Sequence, residues 1–126
     1  MNDIFIPADP AGKTPQVTFK LDGELRIEGR SIPENALEFY DPLLKWVTTL
    51  QKHLPKAIEM TVRLEYFNSS TSKLVLYLFK TLEKIHNTQG CPVKIIWHYN
   101  KLDDDMLDSG KDYQSIIQVP FEFVEY

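Results

Sequence analysis

Residues 57–72 read A-I-E-M-T-V-R-L-E-Y-F-N-S-S-T-S, and this stretch decides the fold. Apolar and polar side chains alternate over residues 57–67, which is the two-residue period of a β-strand. The apolar positions are Ile58, Met60, Val62, Leu64 and Tyr66, and the polar positions are Glu59, Thr61, Arg63 and Glu65. A strand that is so polar on one side belongs to a sheet with one face open to water or to a partner. The stretch therefore predicts a sheet whose helices pack mainly on one face.

A helix and a second strand follow this stretch. Apolar side chains recur at helical spacing between about Ser70 and Asn87, and Gly90 is a natural stop. The mostly apolar residues 93–99 predict a more central strand. Two strands that flank one helix are parallel and are joined by a right-handed crossover. We therefore predict that strands 57–67 and 93–99 are parallel.

The sequence upstream predicts a β-hairpin and another helix. Residues 17–21 and 25–28 alternate in polarity on either side of the turn Asp22-Gly23, as in a hairpin. Asp41-Pro42 resembles a helix start, with an N-cap residue followed by proline at the first helical position. Apolar residues then recur at helical spacing until Pro55, which ends that helix.

The two ends of the chain complete the predicted topology. Residues 1–15 carry three prolines and are predicted to form an extended arm. A short helix is predicted over 104–116 and a last strand over 119–123. The order β-β-α-β-α-β-α-β gives a two-layer α/β domain with a mixed sheet, and we expect residues 1–126 to form one domain.

Composition and charge exclude several classes of protein. The 126 residues include 14 Lys and Arg against 18 Asp and Glu, a net charge of −4, so the basic excess of a nucleic-acid-binding protein is missing. The single cysteine, Cys91, permits no internal disulfide and no cysteine-based zinc site. The amino terminus does not have the pattern of a signal peptide, and no apolar run is long enough for a membrane span. These features predict a cytoplasmic protein.

Four hydroxyl side chains at 69–72 form the first candidate site. Helix capping is the simplest interpretation, because Asn and Ser are favoured N-cap residues. Four consecutive hydroxyls exceed what one cap needs, however, and the first turn carries Lys73 in place of an acidic residue. A helix N-terminus next to a lysine can receive a phosphate, either bound or covalently attached.

An acidic loop is the second candidate. Asp103, Asp104, Asp105 and Asp108 follow strand 93–99, but their spacing does not match a calcium-binding loop, and helix capping with a solvated face is the simpler interpretation. The loops after two parallel strands leave the same edge of a sheet, where ligands bind in open sheets. We therefore expect the serine loop and the acidic loop to lie side by side.

A catalytic site is the third candidate. Ser69, His98 and Asp104 supply the residue types of a hydrolase triad, but the chain has no nucleophile elbow of the G-x-S-x-G type. The three histidines form no metal-ligand pair at helical spacing. A small hydrolase that uses Ser69 and a metal-dependent ligand binder that uses Asp103 to Asp105 remain as alternative functions.

Three segments carry a resemblance to a known family. They are G-R-S-I-P-E-N-A-L-E-F-Y-D-P-L-L-K-W at 29–46, L-E-Y-F-N-S-S-T-S-K-L at 64–74 and W-H-Y-N-K-L-D-D-D-M-L-D-S-G at 97–110. Together they resemble the SiaC family of bacterial regulatory phosphoproteins, which are linked to biofilm control. The resemblance spans nearly the whole chain and implies a STAS-like α/β domain, similar to the anti-sigma-factor antagonists.

The resemblance also implies a mechanism and its residues. A kinase of the histidine-kinase-like ATPase type phosphorylates the hydroxyl after the asparagine of the Y-x-N segment, and a PP2C-type phosphatase removes the phosphate. The unphosphorylated protein binds and activates a diguanylate cyclase, without cofactor or metal. Ser69 takes the acceptor position here, where the family typically has threonine, and Ser70 or Thr71 is the alternative acceptor. The candidate partner interface comprises Asn68, Ser70, Thr71, Lys73, Asp103, Asp104 and Asp105.

A phosphate on Ser69 has an expected electrostatic balance. It adds roughly −1.5 to −2 charges, which the helix N-terminus and Lys73 favour and Asp103 to Asp105 disfavour. Each of these effects is on the order of 1 kcal/mol or less at an exposed site. We therefore expect little refolding, and we expect the phosphate to act by repulsion and desolvation within a partner interface.

Overall fold

A computed structural model describes residues 1–126 and contains six strands and three helices. The elements are β1 (Ile4–Ile6), β2 (Gln16–Phe19), β3 (Glu24–Ser31), α1 (Ala36–Leu50), β4 (Ile58–Phe67), α2 (Ser69–Thr88), β5 (Val93–Tyr99), α3 (Asp104–Ile116) and β6 (Phe121–Glu125). None of the three helices combines the length and the apolar character that crossing a membrane requires.

The six strands form one mixed sheet in the order β1-β2-β3-β4-β5-β6. The first two pairs are antiparallel and include the predicted hairpin, which turns at Asp22-Gly23. The pairs β3–β4, β4–β5 and β5–β6 are parallel, so the predicted parallel pairing of β4 and β5 is confirmed. All the parallel strands therefore end at the same edge of the sheet.

The three helices cover one face of the sheet. Trp46 of α1 packs against Phe19 with ring centroids 5.5 Å apart, and Tyr113 of α3 packs against Trp97 at 5.5 Å. Phe79 of α2 contacts Trp97 at 6.4 Å. On the other face, Arg63 and Glu65 of β4 are exposed, as the alternation of residues 57–67 predicts. The one-sided α/β architecture is confirmed, and the STAS-like label stays a prediction.

The start of α1 differs from the prediction. The helix begins at Ala36, and Asn35 caps it by accepting a hydrogen bond from the Glu38 amide over 3.1 Å. Asp41-Pro42 lies inside the helix, so the predicted start at this pair is wrong. Pro42 is exposed, and Tyr40 is buried two residues before it. The apolar spacing therefore extends upstream of the proline, and the earlier capping residue sets the boundary.

The two ends of the chain also differ from the prediction. Within the predicted extended arm, β1 pairs with β2, and Trp46 Nε1 donates a hydrogen bond to the backbone oxygen of Asn2 over 2.7 Å. The last strand is shifted by two residues and covers Phe121–Glu125 instead of 119–123. Neither difference changes the order of the elements that carry the candidate sites.

Candidate functional site

The hydroxyl cluster lies where β4 passes into α2. Asn68 has an extended backbone and is the N-cap, because its side-chain oxygen accepts a hydrogen bond from the Thr71 amide over 2.9 Å. Ser69 is the first helical residue and Ser70 the second. Of the Asn and Ser residues that the sequence offers as caps, Asn68 is therefore the one that caps the helix. Both serines are exposed, and the cap uses neither hydroxyl.

The third hydroxyl of the cluster is buried in a triad with Ser31 and Tyr40. Ser31 Oγ lies 2.7 Å from Tyr40 Oη and 2.9 Å from Thr71 Oγ1, and Thr71 donates to the Ser31 carbonyl oxygen over 3.2 Å. All three residues have no exposed surface. With Thr71 committed to the carbonyl, Ser31 donates to Thr71 and Tyr40 donates to Ser31, so every hydroxyl of this hydroxyl triad donates once.

The hydroxyl triad has two consequences for the site. Burial raises the pKa of Tyr40 to about 12, and the hydrogen bond between Tyr40 and Ser31 opposes the shift, so the phenol stays protonated and keeps its role as donor. Thr71 is inaccessible to an enzyme unless the start of α2 opens. In this conformation the hydroxyls of Ser69 and Ser70 are accessible for modification, and that of Thr71 is not.

The fourth hydroxyl, Ser72, connects α2 to α3. Tyr113 Oη donates to the Ser72 carbonyl oxygen over 2.9 Å and lies 3.2 Å from Ser72 Oγ. Burial raises the pKa of Tyr113, which keeps this phenol protonated as well. The first turn of α2 is thus fixed by two sets of hydrogen bonds on its inner side, one within the hydroxyl triad and one to Tyr113. Ser69 and Ser70 remain on the outer side of a fixed turn.

A depression of about 420 Å³ borders the two exposed serines. It lies between the amino ends of α1 and α2, and its lining includes Ser69, Ser70, Lys73, Glu34 and Leu37. Glu34 is paired with Lys13 at 3.3 Å, and both side chains are largely exposed. Lys73 has the position that the sequence predicts, beside the candidate acceptor.

The acidic loop lies in a different cavity, of about 710 Å³. Asp103, Asp104 and Asp105 line it together with Glu65 and Tyr126, and no residue of the serine cluster takes part. Asp103 caps α3 by accepting a hydrogen bond from the Met106 amide over 3.0 Å. Both loops leave the same edge of the sheet, but the expected side-by-side site is not formed. The acidic residue that shares a depression with Ser69 is Glu34.

Neither alternative site has a supporting geometry. His98 faces the open side of the sheet, where desolvation and then the charges of Arg63 and Arg26 lower its pKa. Ser69 lies in the helix layer and Asp104 in the acidic cavity, so the three residues of the hypothetical triad do not come together. No cluster of three or more His, Cys, Asp or Glu side chains has an arrangement that could hold a metal ion.

Sequence reasoning missed the residues beneath the serines. Tyr40 could have been found, because it continues the apolar spacing of Leu43 and Val47 by one helical turn. Ser31 gives no sequence signal, since it ends a strand 40 residues before Thr71 and only the tertiary fold brings the two together. Glu34 was also missed, because the start of α1 was placed too far downstream.

Comparisons with known proteins agree with this geometry. The model of the SiaC family regulatory phosphoproteins matches residues 8–126. An uncharacterized protein of Pseudomonas aeruginosa (strain UCBPP-PA14) is 27% identical over 121 residues, which cover 96% of this chain and 94% of that protein. The SiaC structure from Pseudomonas aeruginosa superposes with a TM-score of 0.88 at 27% identity and covers 100% of both chains.

A further similar structure contains a partner. It is the crystal structure of the diguanylate cyclase SiaD in complex with its activator SiaC from Pseudomonas aeruginosa. The match has a TM-score of 0.90 at 26% identity and covers 98% of this chain and 100% of the matched chain.

Proposed function

The chain belongs to the SiaC family of regulatory phosphoproteins, and we propose on that premise that it activates a diguanylate cyclase under the control of reversible phosphorylation on Ser69. In this proposal the unphosphorylated protein binds the cyclase, raises the synthesis of cyclic di-GMP and so promotes biofilm formation. Phosphate on Ser69 releases the cyclase. The protein itself performs no chemistry in this scheme, because it acts through the enzyme that it binds.

The accessibility of Ser69 is the observation that carries the proposal. Of the four hydroxyl residues that open α2, Thr71 is buried in the hydroxyl triad and Ser72 contacts Tyr113. Ser69 and Ser70 are exposed. Ser69 directly follows the capping Asn68, and the position of Ser69 is the acceptor position that the family resemblance implies. The site can thus receive a phosphate without any rearrangement of the cap.

The local charges make the phosphorylated state compatible with the fold. A phosphate at the first helical position faces the free N–H groups at the start of α2. Lys73 lies four residues further along the helix, at a spacing that allows an ion pair. Glu34, across the depression, opposes the phosphate. These effects are each on the order of 1 kcal/mol or less, so the phosphate leaves the domain folded and acts where a partner would have to desolvate it.

The remaining partners follow from the same scheme. We propose a kinase of the histidine-kinase-like ATPase type and a PP2C-type phosphatase, which add and remove the phosphate. The proposal assigns the protein to the cytoplasm, because the kinase and the cyclase consume ATP and GTP there. The candidate interface is the outer surface around Ser69, Ser70 and Lys73.

The test reconstitutes the switch with purified components. The diguanylate cyclases of the source organism are expressed one at a time, and cyclic di-GMP formation from GTP is measured with no added protein, with the unphosphorylated protein and with the protein phosphorylated by its kinase. We expect activation of one cyclase by the unphosphorylated form only. Mass spectrometry locates the phosphate, and Ser70→Ala is the matched control. Equal activation by both forms would contradict the switch, because a modification without a differential effect on binding cannot shift the equilibrium.

A further inference from the structure

One outer stripe of α2 begins at the proposed phosphoacceptor. Ser69, Lys73, Tyr77, Lys80 and Lys84 follow each other at steps of four, four, three and four residues. At 3.6 residues per turn these side chains fall within a sector of roughly 80° on the helix. All five are exposed, and Tyr77 retains 54% of its surface. We call these five residues the α2 stripe.

The lysines of the α2 stripe have no ionic partners in the protein. None of the six ion pairs of the structure contains a residue of α2. By contrast, Lys45 of α1 pairs with Asp41 at 2.9 Å, and Lys94 on the open face of the sheet has two carboxylate partners.

The one acidic residue of α2 does not compensate this charge. Glu83 is half-buried, and its carboxylate accepts a hydrogen bond from the Gln118 amide. The α2 stripe therefore carries three positive charges without an ion-pair partner, on a protein whose net charge is −4. Glu34 and Asp112 each line a depression together with Lys73, but neither forms an ion pair with it.

We propose that the α2 stripe is the docking surface for an acidic segment of the cyclase effector, with an apolar side chain of that segment covering Tyr77. Charge complementarity selects this occupant, because three unpaired lysines in a row attract carboxylates. Tyr77 supplies the large, amphipathic side chain that is typical of the centre of an interface. From Ser69 to Lys84 the stripe is about 22 Å long at 1.5 Å per residue, which accommodates several turns of a helix.

The same placement explains how the phosphate releases the partner. A phosphate on Ser69 adds about −2 charges at one end of the α2 stripe and reduces its charge from +3 to about +1. The phosphate also lies four residues from Lys73, so it competes with the partner for that lysine. Charged groups at an interface act mainly on the rate of encounter and on discrimination between partners. Phosphorylation therefore weakens the attraction between the α2 stripe and the acidic segment, and it also removes the contact of that segment with Lys73. This inference rests on the proposed function and adds the surface and the partner chemistry to it.

Charge-reversal variants test the inference. The double variant Lys80→Glu with Lys84→Glu reverses the charge at the end of the α2 stripe that is distant from Ser69. The control is Lys52→Glu with Lys56→Glu, which makes the same change of charge at exposed residues after the end of α1. Binding of each variant to the purified cyclase is measured at low and high salt. We expect the stripe variant to bind about tenfold more weakly or worse at low salt and to lose most of its salt dependence, and we expect the control to bind within about twofold of the wild type.

Further variants keep the test independent of folding. Lys80→Gln with Lys84→Gln removes the charge without reversing it, and thermal unfolding checks that each variant is folded. Tyr77→Ala should also weaken binding, whereas Tyr77→Phe should largely restore it, because the ring provides most of the contact.

The outcomes separate this inference from the proposed function. A wild-type protein that binds no cyclase contradicts the proposed function itself. A wild-type protein that binds while the folded stripe variants bind equally well overturns the inference alone. Equal weakening by the control variant also overturns it, since net charge would then be sufficient. If sedimentation shows that the wild type self-associates and that only the stripe variants are monomeric, the stripe binds a second copy and the proposed occupant is wrong.

Discussion

The amino ends of α2 and α3 share a design and differ in charge. Each helix follows a parallel strand at the same edge of the sheet, and each is capped by a side chain that accepts a hydrogen bond from the amide three residues later. Asn68 accepts from Thr71 over 2.9 Å, and Asp103 accepts from Met106 over 3.0 Å. The first turn of α3 then carries two aspartates, whereas that of α2 carries exposed serines and no acidic residue.

This difference shows how one structural position can serve two purposes. The positive end of a helix favours negative charge. In α3 the aspartates provide this charge permanently, so the position is already filled. In α2 the position is open, and the phosphate that we propose on Ser69 would fill it. A regulated charge needs a helix start that lacks its own carboxylates, and α2 is the helix that meets this condition.

Removal of the Ser69 hydroxyl should have the largest effect. We expect Ser69→Ala to abolish the incorporation of phosphate by the kinase and to keep cyclase activation within about twofold of the wild type, because loss of one small exposed hydroxyl does not disturb an interface. The measurement is the transfer of labelled phosphate from ATP together with cyclic di-GMP formation.

Ser70→Ala is the matched control, since it removes the neighbouring exposed hydroxyl. It should keep phosphorylation within about threefold of the wild type, because Asn68 and not Ser70 caps the helix. If Ser70 of the Ser69→Ala protein is phosphorylated to full stoichiometry, the proposed assignment of Ser69 as the acceptor is wrong.

Disruption of the hydroxyl triad should be the next largest effect. Thr71→Val keeps the side-chain volume but leaves the buried Ser31 hydroxyl without its acceptor, so we expect the free energy of unfolding to fall by about 2 kcal/mol. Thr71→Ser retains the hydroxyl and should lose less than about 1 kcal/mol. Urea denaturation measures both. A larger loss in Thr71→Ser than in Thr71→Val would mean that the methyl group of Thr71, and not its hydrogen bonds, holds the start of α2.

Exchange of the two caps should sharpen the comparison at about 1 kcal/mol. Asn68→Ala and Asp103→Ala each remove a cap and should each lower the free energy of unfolding by about 1 kcal/mol. Asn68→Asp and Asp103→Asn keep the cap and exchange the charge. We expect Asn68→Asp to stabilise the protein and Asp103→Asn to destabilise it, by about 0.3–1 kcal/mol each. Destabilisation by Asn68→Asp in urea denaturation would show that the α2 start does not favour negative charge.

The sequence predicted those parts of the fold that depend on local periodicity. The alternation of residues 57–67 was sufficient for the one-sided sheet, and the helix between two strands was sufficient for the parallel pairing. The three residues of β1 are too few to show a period. They are held by pairing with β2 and by the contact between Trp46 and Asn2, which only the tertiary fold creates.

The candidate site was predicted only where its residues are close together in the sequence. Ser69 and Lys73 are neighbours on one helix, so their proximity follows from the sequence. The hydroxyl triad and the contact of Ser72 with Tyr113 join residues that are 40 and 41 positions apart. The separation of the two cavities could not be predicted either, because strand order places the two loops at one edge but does not determine how the helices after them pack.

The smallest expected effect is a shift in the pKa of the phosphate on Ser69. A phosphoserine loses its second proton near pH 6 in an unfolded chain. In the folded protein the start of α2 and Lys73 favour the dianion, so we expect the pKa of the phosphate to be lower than in the unfolded chain. The lower folded pKa means that the phosphate stabilises the fold above about pH 6 and that this gain is lost as the pH falls through the folded pKa. Because Glu34 opposes the shift, the gain should not exceed about 1 kcal/mol.

Phosphorus NMR of the phosphorylated protein, titrated with and without urea, measures both pKa values. Lys73→Gln should bring the two values closer together. A folded pKa above the unfolded one would show that Glu34 outweighs the helix end, and the contrast between α2 and α3 would then lose its electrostatic basis.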